Sequence, residues 1–158
     1  MKSILYLHGL ESKQGGAKID FLASQGTVHA PAMAYKTKAW SVDELIEMAN
    51  KCNPDLIIGS SMGGYFADVL GSHTSTEVLL FNPALHSRSI DYNFNYGKQN
   101  YKRTIILGML DTVVLPECTK KIAGDTAKII EVAAMGHRTP LDTFKAIYTQ
   151  LFVDETVC

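Results

Sequence analysis

The feature that most constrains the fold is the alternation of short apolar runs with segments that have the apolar spacing of helices. The predicted strands cover residues 3–8, 27–33, 55–60, 77–82, 103–109 and 128–135. The predicted helices cover residues 17–25, 41–52, 62–71, 115–124 and 141–152. Strands that are apolar on both faces and separated by helices indicate a mostly parallel sheet that is covered on both sides. With right-handed crossovers, this pattern predicts an α/β fold, a doubly wound three-layer α/β/α sandwich of about six strands.

The size and charge of the chain favour one compact domain without a polyanionic partner. With 158 residues and 46% hydrophobic residues, we expect a single domain over residues 1–158. Residues 85–102 have little apolar periodicity, and we interpret them as a small lid or cover above the sheet edge. The 15 Lys and Arg residues nearly balance 16 Asp and Glu residues without a long run of one sign. Such a surface does not favour nucleic acid or an anionic membrane as a partner.

The termini and cysteines predict a cytoplasmic protein. Only five residues separate Lys2 from His8, which is too short for the apolar region of a signal peptide. No apolar run approaches the roughly 18 residues that a membrane-spanning helix needs. The three cysteines are scattered, without the spacing of a zinc site, and are typical of free thiols in a reducing compartment. No pattern in the sequence specifies an oligomeric state.

The polar residues of interest follow the predicted strands directly. In an open parallel sheet, ligands bind beyond the carboxyl ends of the strands. The residues at those ends are His8, the segment 59–64, Asn82, Asp111 and His137. We therefore expect a functional site at this edge of the sheet.

The segment 59–64 reads GSSMGG and does not fit a phosphate-binding loop. A Walker loop requires a lysine after its last glycine, but Tyr65 follows Gly64. A dinucleotide-binding fingerprint requires a second glycine where Ser61 stands. Nucleotide binding is therefore disfavoured.

The same segment matches the G-x-S-x-G pattern of a nucleophile elbow, with Ser61 at its centre. A sharp turn from strand to helix requires small residues two positions before and after the nucleophile. Gly59 and Gly63 meet that requirement for Ser61, whereas the corresponding neighbours of Ser60 are isoleucine and methionine. The pattern therefore predicts Ser61 as the nucleophile.

A nucleophilic serine needs a base and an acid that orients the base, and in this type of fold the chain order is Ser, acid, His. Asp111 directly follows a predicted strand, and His137 is the only histidine after it. Asp91, Asp125 and Asp142 are less well placed, because they lie in the aromatic segment, before a strand and in the last helix respectively. His86 as the base would require the order Ser, His, Asp. We predict Asp111 as the acid and His137 as the base, with a turn aspartate and a surface histidine as the alternatives.

Acyl transfer also needs N–H groups that point at the developing oxyanion. We expect these from Met62, which follows the predicted nucleophile, and from Leu10 in the loop after the first strand. Gly9 allows that loop to approach closely, and we interpret His8 as a scaffold residue rather than a base.

The chain resembles the α/β-hydrolase superfamily, and most closely its small YqiA-like esterases. The motifs that carry this resemblance are ILYLHGLESK, DLIIGSSMGGYFADVL, LLFNPAL, GMLDTVV and GHRTPLDTF, which together span residues 4–144. The resemblance implies an esterase or thioesterase without a cofactor, in which Ser61, Asp111 and His137 form the catalytic triad. Gly136 departs from the polar or acidic residue expected before the histidine.

The predicted function is a serine hydrolase that cleaves a small-molecule acyl ester or thioester through an acyl-enzyme. A serine peptidase or amidase with the same triad, and a non-catalytic α/β-hydrolase-like binding protein, remain alternatives. Tyr92, Phe94 and Tyr96 are predicted to contact the substrate; the alternative is that they form a packed cover with no ligand role.

Overall fold

A computed structural model describes residues 1–12, 14–88, 90–92 and 100–154. The strands are β1 Lys2–Leu7, β2 Gly26–His29, β3 Leu56–Ser60, β4 Glu77–Phe81, β5 Arg103–Gly108 and β6 Lys128–Val132. The α-helices are α1 Ala17–Gln25, α2 Val42–Cys52, α3 Met62–Thr74, α4 Pro116–Ala123 and α5 Leu141–Phe152. A short 3₁₀ helix, Gly124–Thr126, follows α4. Among these helices, none combines the length and apolar character needed to cross a bilayer.

The six strands form one sheet in the order β2-β1-β3-β4-β5-β6, and each neighbouring pair is parallel. Helices cover both faces, because α1 and α5 pack on one core cluster and α2, α3 and α4 on another. Within β1, Leu5 and Leu7 belong to the cluster beneath α2 and α3, whereas Ile4 and Tyr6 belong to the cluster beneath α1 and α5. The alternation of side chains along a strand explains why both sets are apolar. The predicted three-layer sandwich is confirmed.

The start of α2 follows its sequence signal. Ser41 Oγ accepts a hydrogen bond from Glu44 N–H at 3.1 Å, and the Glu44 carboxylate accepts one from Ser41 N–H at 2.8 Å. The hydrogen bond from the Ser41 N–H lowers the pKa of the Glu44 carboxyl, and a hydrogen bond from Lys38 lowers it further. Asn53 ends the helix in the left-handed conformation. These reciprocal hydrogen bonds form a capping box, which fixes the chain where it enters the second helix.

Helix α3 is longer than the predicted range 62–71, because it continues to Thr74. The hydroxyls of Ser72 and Thr74 donate hydrogen bonds to carbonyls of the preceding turn, so these polar residues are accommodated within the helix. Ser75 then adopts a φ of 56° and ends the helix. Polar residues that favour caps can also satisfy their hydroxyls within a helix, so the local pattern placed this end too early.

Two strands, β2 and β6, end three or more residues before their predicted limits. The prediction of 27–33 extends beyond the end of β2 at His29. Pro31 follows shortly and lacks the N–H that a longer strand would donate. The prediction of 128–135 likewise extends beyond the end of β6 at Val132, where the chain turns. Beyond the ends of these strands, Met33 and Met135 are buried in the two core clusters.

A buried ion pair joins α3 to the first residue of β5. Arg103 Nε donates to Asp68 Oδ1 at 2.8 Å, and a terminal nitrogen of the same guanidinium donates to Oδ2 at 2.6 Å. Tyr101 Oη also donates to Asp68, at 2.6 Å. Burial raises the pKa of Asp68, and the hydrogen bonds from Arg103 and Tyr101 counteract that rise. Both charged side chains are fully buried, so each depends on the other for compensation.

Removing one partner of this pair should strongly destabilise the protein. We expect Asp68→Ala to lower the free energy of unfolding by about 3–5 kcal/mol, because it removes the carboxylate that pairs with the buried Arg103 guanidinium. Urea denaturation measures this loss. The exposed pair of Lys51 and Glu47 supplies the control, and Glu47→Ala should cost less than about 1 kcal/mol.

The double variant Asp68→Leu/Arg103→Met removes both charges and should recover much of the stability lost in Asp68→Ala. If Asp68→Ala were as stable as the unmodified protein, the pair would not be needed to compensate the buried charges.

Candidate active site

Ser61 occupies a strained turn between β3 and α3. Its φ of 55° and ψ of −117° are unfavourable for a residue with a side chain. Its N–H donates to the Phe81 carbonyl at 3.0 Å, and its carbonyl accepts hydrogen bonds from Gly64, Tyr65 and Ala84. The end of β4 and the first turn of α3 therefore hold Ser61 in this conformation.

The two glycines that flank Ser61 are sterically required. A Cβ atom on Gly59 would lie 2.2 Å from the Gly63 carbonyl oxygen, and one on Gly63 would lie 2.1 Å from the Leu7 carbonyl oxygen. Neither position can accept a side chain without moving backbone atoms. The size requirement that favoured Ser61 over Ser60 thus corresponds to real contacts between β1, β3 and α3.

Asp111 and His137 lie next to each other beyond the ends of β5 and β6. His137 Nδ1 is 2.8 Å from Asp111 Oδ2. The other oxygen, Asp111 Oδ1, accepts the N–H groups of Val113 and Val114 at 2.8 and 2.9 Å. The Asp111 carboxylate is buried and held at both oxygens. An ionised carboxylate accepts hydrogen bonds, so Nδ1 carries a proton and Nε2 is left as the acceptor.

Ser61 and His137 line the same cavity, whose volume is about 910 Å³. The β1–α1 loop, the first residues of α1, the segment 137–141 and Val113 also line it. Within the described part of the chain, Ser61 Oγ makes no hydrogen bond, so its hydroxyl is free to respond to a ligand. Catalytic hydrogen bonds are often long or absent before a substrate binds.

The alternative acids and the two other histidines after Ser61, His73 and His86, do not line this cavity. Asp91 forms an ion pair with Arg88 at 3.3 Å. Asp125 lies in the 3₁₀ helix before β6, at the opposite edge of the sheet. His86 follows β4 but is likewise outside the cavity wall.

The loop after β1 passes over Ser61, as the predicted oxyanion site requires. A Cβ atom on Gly9 would lie 3.4 Å from Ser61 Cβ, which is van der Waals contact. In the residues that the structure describes, neither the Leu10 N–H nor the Met62 N–H has an acceptor. Met62 is the first residue of α3, so its N–H belongs to the positive end of that helix.

His8 holds this loop and uses both ring nitrogens to do so. The Met33 N–H donates to His8 Nε2 at 3.0 Å, which leaves the proton on Nδ1. Nδ1 then donates to the Gly9 carbonyl at 2.7 Å. Tyr35 Oη donates to the His8 carbonyl at 2.6 Å. A neutral imidazole with both nitrogens occupied has no free lone pair, so His8 fixes the loop and does not serve as a base.

Asn82 has a structural role that the sequence did not predict. Its side-chain amide donates to the carbonyls of Gly136 and His137 at 3.1 and 2.9 Å, and its oxygen accepts Gly108 N–H at 2.8 Å. It is buried and has a φ of 43°, a conformation that asparagine tolerates. Asn82 thus ties β4 and β5 to the loop that carries His137. The one sequence signal was its place at the end of a buried strand, before Pro83.

Of the three aromatic residues predicted to contact the substrate, Tyr92 is described by the structure, and it lies apart from the cavity. Tyr92 stacks on Tyr65 with ring centroids 5.8 Å apart, and its hydroxyl donates to the Trp40 carbonyl at 2.8 Å. Burial raises the pKa of Tyr92 to about 12. Tyr92 does not line the cavity around Ser61. Phe94 and Tyr96 lie outside the described residues, so a substrate contact by these aromatics stays a prediction.

No group of three or more His, Cys, Asp or Glu side chains within the described ranges could hold a metal ion. The polar groups around Ser61 include its hydroxyl, the imidazole of His137 paired with a carboxylate, and N–H groups that have no acceptor among the described residues. This set can perform nucleophilic attack, proton transfer and oxyanion stabilisation.

A family model described as "Uncharacterised protein family (UPF0227)" matches residues 3–102 of the chain. The chain belongs to the UPF0227 family. The predicted resemblance to the YqiA-like branch of the α/β-hydrolase superfamily is thereby confirmed. The matched part of this UPF0227 protein includes Ser61 but ends before Asp111 and His137. No curated protein matches the sequence significantly.

Solved structures share the fold of this UPF0227 protein at low sequence identity. A protein of the α/β hydrolase superfamily from Xanthomonas campestris has a TM-score of 0.67 at 18% identity, covering 95% of this chain and 98% of its own. An α/β hydrolase from a lagoon-sediment metagenome has a TM-score of 0.67 at 17% identity, covering 95% of this chain and 88% of its own. The esterase PE8 has a TM-score of 0.64 at 14% identity, covering 95% of this chain and 91% of its own. Similarity at this level of identity shows the fold alone.

The role of Asn82 can be tested by stability. Asn82→Gly keeps the positive φ but removes the side chain, and we expect the free energy of unfolding to fall by about 1–3 kcal/mol, because buried Gly108 N–H loses its acceptor. Asn82→Asp keeps an acceptor for that N–H but cannot donate to the carbonyls of Gly136 and His137. Urea denaturation and hydrogen exchange at the Gly108 amide measure the two effects. Unchanged protection of this amide in Asn82→Gly would show that Asn82 does not hold β5.

Proposed function

We propose that this protein is a serine hydrolase that cleaves carboxylic esters or thioesters through an acyl-enzyme. The observation that carries the proposal is that Ser61, strained at the start of α3, lines one cavity with a histidine held by a buried carboxylate. The fold is shared with proteins named as hydrolases and as an esterase, which supports a hydrolytic reaction.

In the proposed first step, His137 Nε2 accepts the proton of Ser61 Oγ as this oxygen attacks the carbonyl carbon of the substrate. Asp111 keeps the Nδ1 proton in place and stabilises the imidazolium that forms. The negative charge that develops on the carbonyl oxygen is stabilised by the N–H groups of Leu10 and Met62 and by the positive end of α3. These donors are fixed before the reaction, so little reorganisation is needed.

Collapse of the tetrahedral intermediate breaks the bond to the alcohol or thiol. His137 donates its proton to this leaving group, and the acyl group stays on Ser61 Oγ. Water then attacks the acyl-enzyme while His137 accepts one of its protons, and a second collapse releases the carboxylic acid. The imidazole therefore returns to its neutral state after each turnover.

The two neighbouring serines offer a matched test of the nucleophile. We expect Ser61→Ala to lower kcat for 4-nitrophenyl butyrate by a factor on the order of 10⁴ to 10⁶, as in other triads. Ser60→Ala changes the adjacent residue in the same manner and should keep activity within a few-fold. Release of 4-nitrophenolate measures both. Full activity in Ser61→Ala would show that Ser61 is not the nucleophile.

Asp111→Asn tests the orienting acid. The amide would favour the wrong imidazole tautomer, so we expect kcat to fall by a factor on the order of 10⁴ with little change in KM. The substitution keeps an acceptor for the Val113 and Val114 N–H groups, so the loop should remain folded. Circular dichroism and urea denaturation check that the loss is not caused by unfolding.

Labelling with a fluorophosphonate separates an enzyme from a non-catalytic binding protein of the same fold. An active triad should be modified at Ser61, as mass spectrometry of the peptide would show, and Asp111→Asn should react far more slowly. Equal labelling of the two proteins would contradict the role of Asp111. A panel of acyl-CoA and 4-nitrophenyl esters would then assign the leaving group.

A further inference from the structure

Two cationic side chains line the cavity that contains Ser61. Lys18 lies in the first turn of α1, and Arg138 follows His137. Lys18 is half-buried with its Nζ 5.6 Å from the centre of the Phe144 ring, and burial lowers its pKa. Across the described residues, neither Lys18 nor Arg138 has a carboxylate partner. Two cations without counter-charges thus share one cavity with the proposed nucleophile.

The acidic residue in the cavity wall does not neutralise this charge. Glu11 lines the cavity, but it lies near the surface and forms an ion pair with Lys36 at 3.4 Å. Asp111 is buried and occupied by His137 and two backbone N–H groups. The wall therefore keeps a positive excess at Lys18 and Arg138.

Helix α1 adds a second source of positive potential at the same wall. Gly15 and Ala17 line the cavity, and the N-cap residue Gly16 offers no side-chain cap. The N–H groups of Ala17 and Lys18 have no acceptor in the part of the chain that the structure describes. Uncapped N–H groups at a helix start favour a bound anion.

Thr139 supplies a further polar group that lacks a partner. It lines the cavity, is only 6% exposed, and its hydroxyl has no hydrogen-bond partner among the described residues. A buried hydroxyl without a partner is costly, and an incoming acceptor would relieve that cost. This observation is independent of the charges of Lys18 and Arg138.

We propose that Lys18, Arg138, Thr139 and the start of α1 form a subsite for an anionic group of the ester substrate. This inference rests on the proposed function, because it names the substrate class of the same cavity. A carboxylate or phosphate on the substrate would pair with the two cations and accept hydrogen bonds from the free N–H groups. A neutral substrate of equal size would leave those cations partly desolvated and unpaired.

The anionic group lies either on the acyl group or on the leaving group of the substrate, and two matched pairs of esters distinguish these two positions. Mono-4-nitrophenyl adipate and 4-nitrophenyl hexanoate differ by a charge on the acyl group. The hexanoyl esters of 4-hydroxybenzoate and of methyl 4-hydroxybenzoate differ by a charge on the leaving group. The readout is the ratio of kcat/KM for the anionic ester to that for its neutral partner, which cancels differences in active enzyme concentration.

We expect this ratio to be well above one for one pair, and Lys18→Met to lower it by about tenfold, the effect of losing one close charge in a partly buried site. Thr139→Val and Arg138→Gln should lower the ratio in the same direction. Lys51→Met removes an exposed lysine from α2, on the other face of the sheet, and should leave the ratio unchanged. Salt near 1 M should also lower the ratio, because it shortens the Debye length to about 3 Å.

The outcomes separate this proposal from the proposed function. Ser61-dependent hydrolysis with ratios at or below one for both pairs would overturn the anionic subsite and leave the hydrolase intact. A ratio above one that Lys18→Met and Arg138→Gln do not change would also overturn it. If no ester in either pair is hydrolysed, the hydrolase and its subsite fail together.

Discussion

The close approach of the β3–α3 turn to the ends of β1 and β4 is the constraint on which the site depends. Gly63 touches the carbonyl of Leu7, and Ser61 exchanges hydrogen bonds with Phe81 and Ala84. These contacts let the turn keep a backbone conformation that would otherwise be costly. They also bring the start of α3 beside the β1–α1 loop, and the Met62 N–H there has no acceptor among the described residues. Small side chains at the turn thus determine both packing and the arrangement of polar groups.

The polar groups at the two edges of the sheet serve different purposes. At the amino edge, Asp68 and Arg103 form an ion pair that is sealed from solvent, and Tyr101 donates a further hydrogen bond to Asp68. At the carboxyl edge, Asp111 is equally buried, but it pairs with an imidazole that is partly exposed to the cavity. The first pair stabilises the packing of α3 on β5. The second leaves one imidazole nitrogen available, which is what proton transfer requires.

Much of the fold could be predicted because the signals are local. A strand that is apolar on both faces must be covered on both faces, and a capping box such as Ser41 and Glu44 marks the start of a helix. The predicted polar residues lie at one edge of the sheet, since the parallel strands all end there. Element ends were less certain: α3 continues to Thr74 because its hydroxyls find acceptors within the helix.

The sequence by itself determined the layered sheet, the steric need for glycines around Ser61, and the edge at which Asp111 and His137 would meet. Only the tertiary structure decided that Asn82 ties the histidine loop to β5, that Tyr92 packs on α3 away from the cavity, and that Lys18 lines it. The physical reason is that periodicity and turn sterics act between near neighbours in the chain. The contacts of Asn82, Tyr92 and Lys18 depend on how loops and helices pack across the finished sheet.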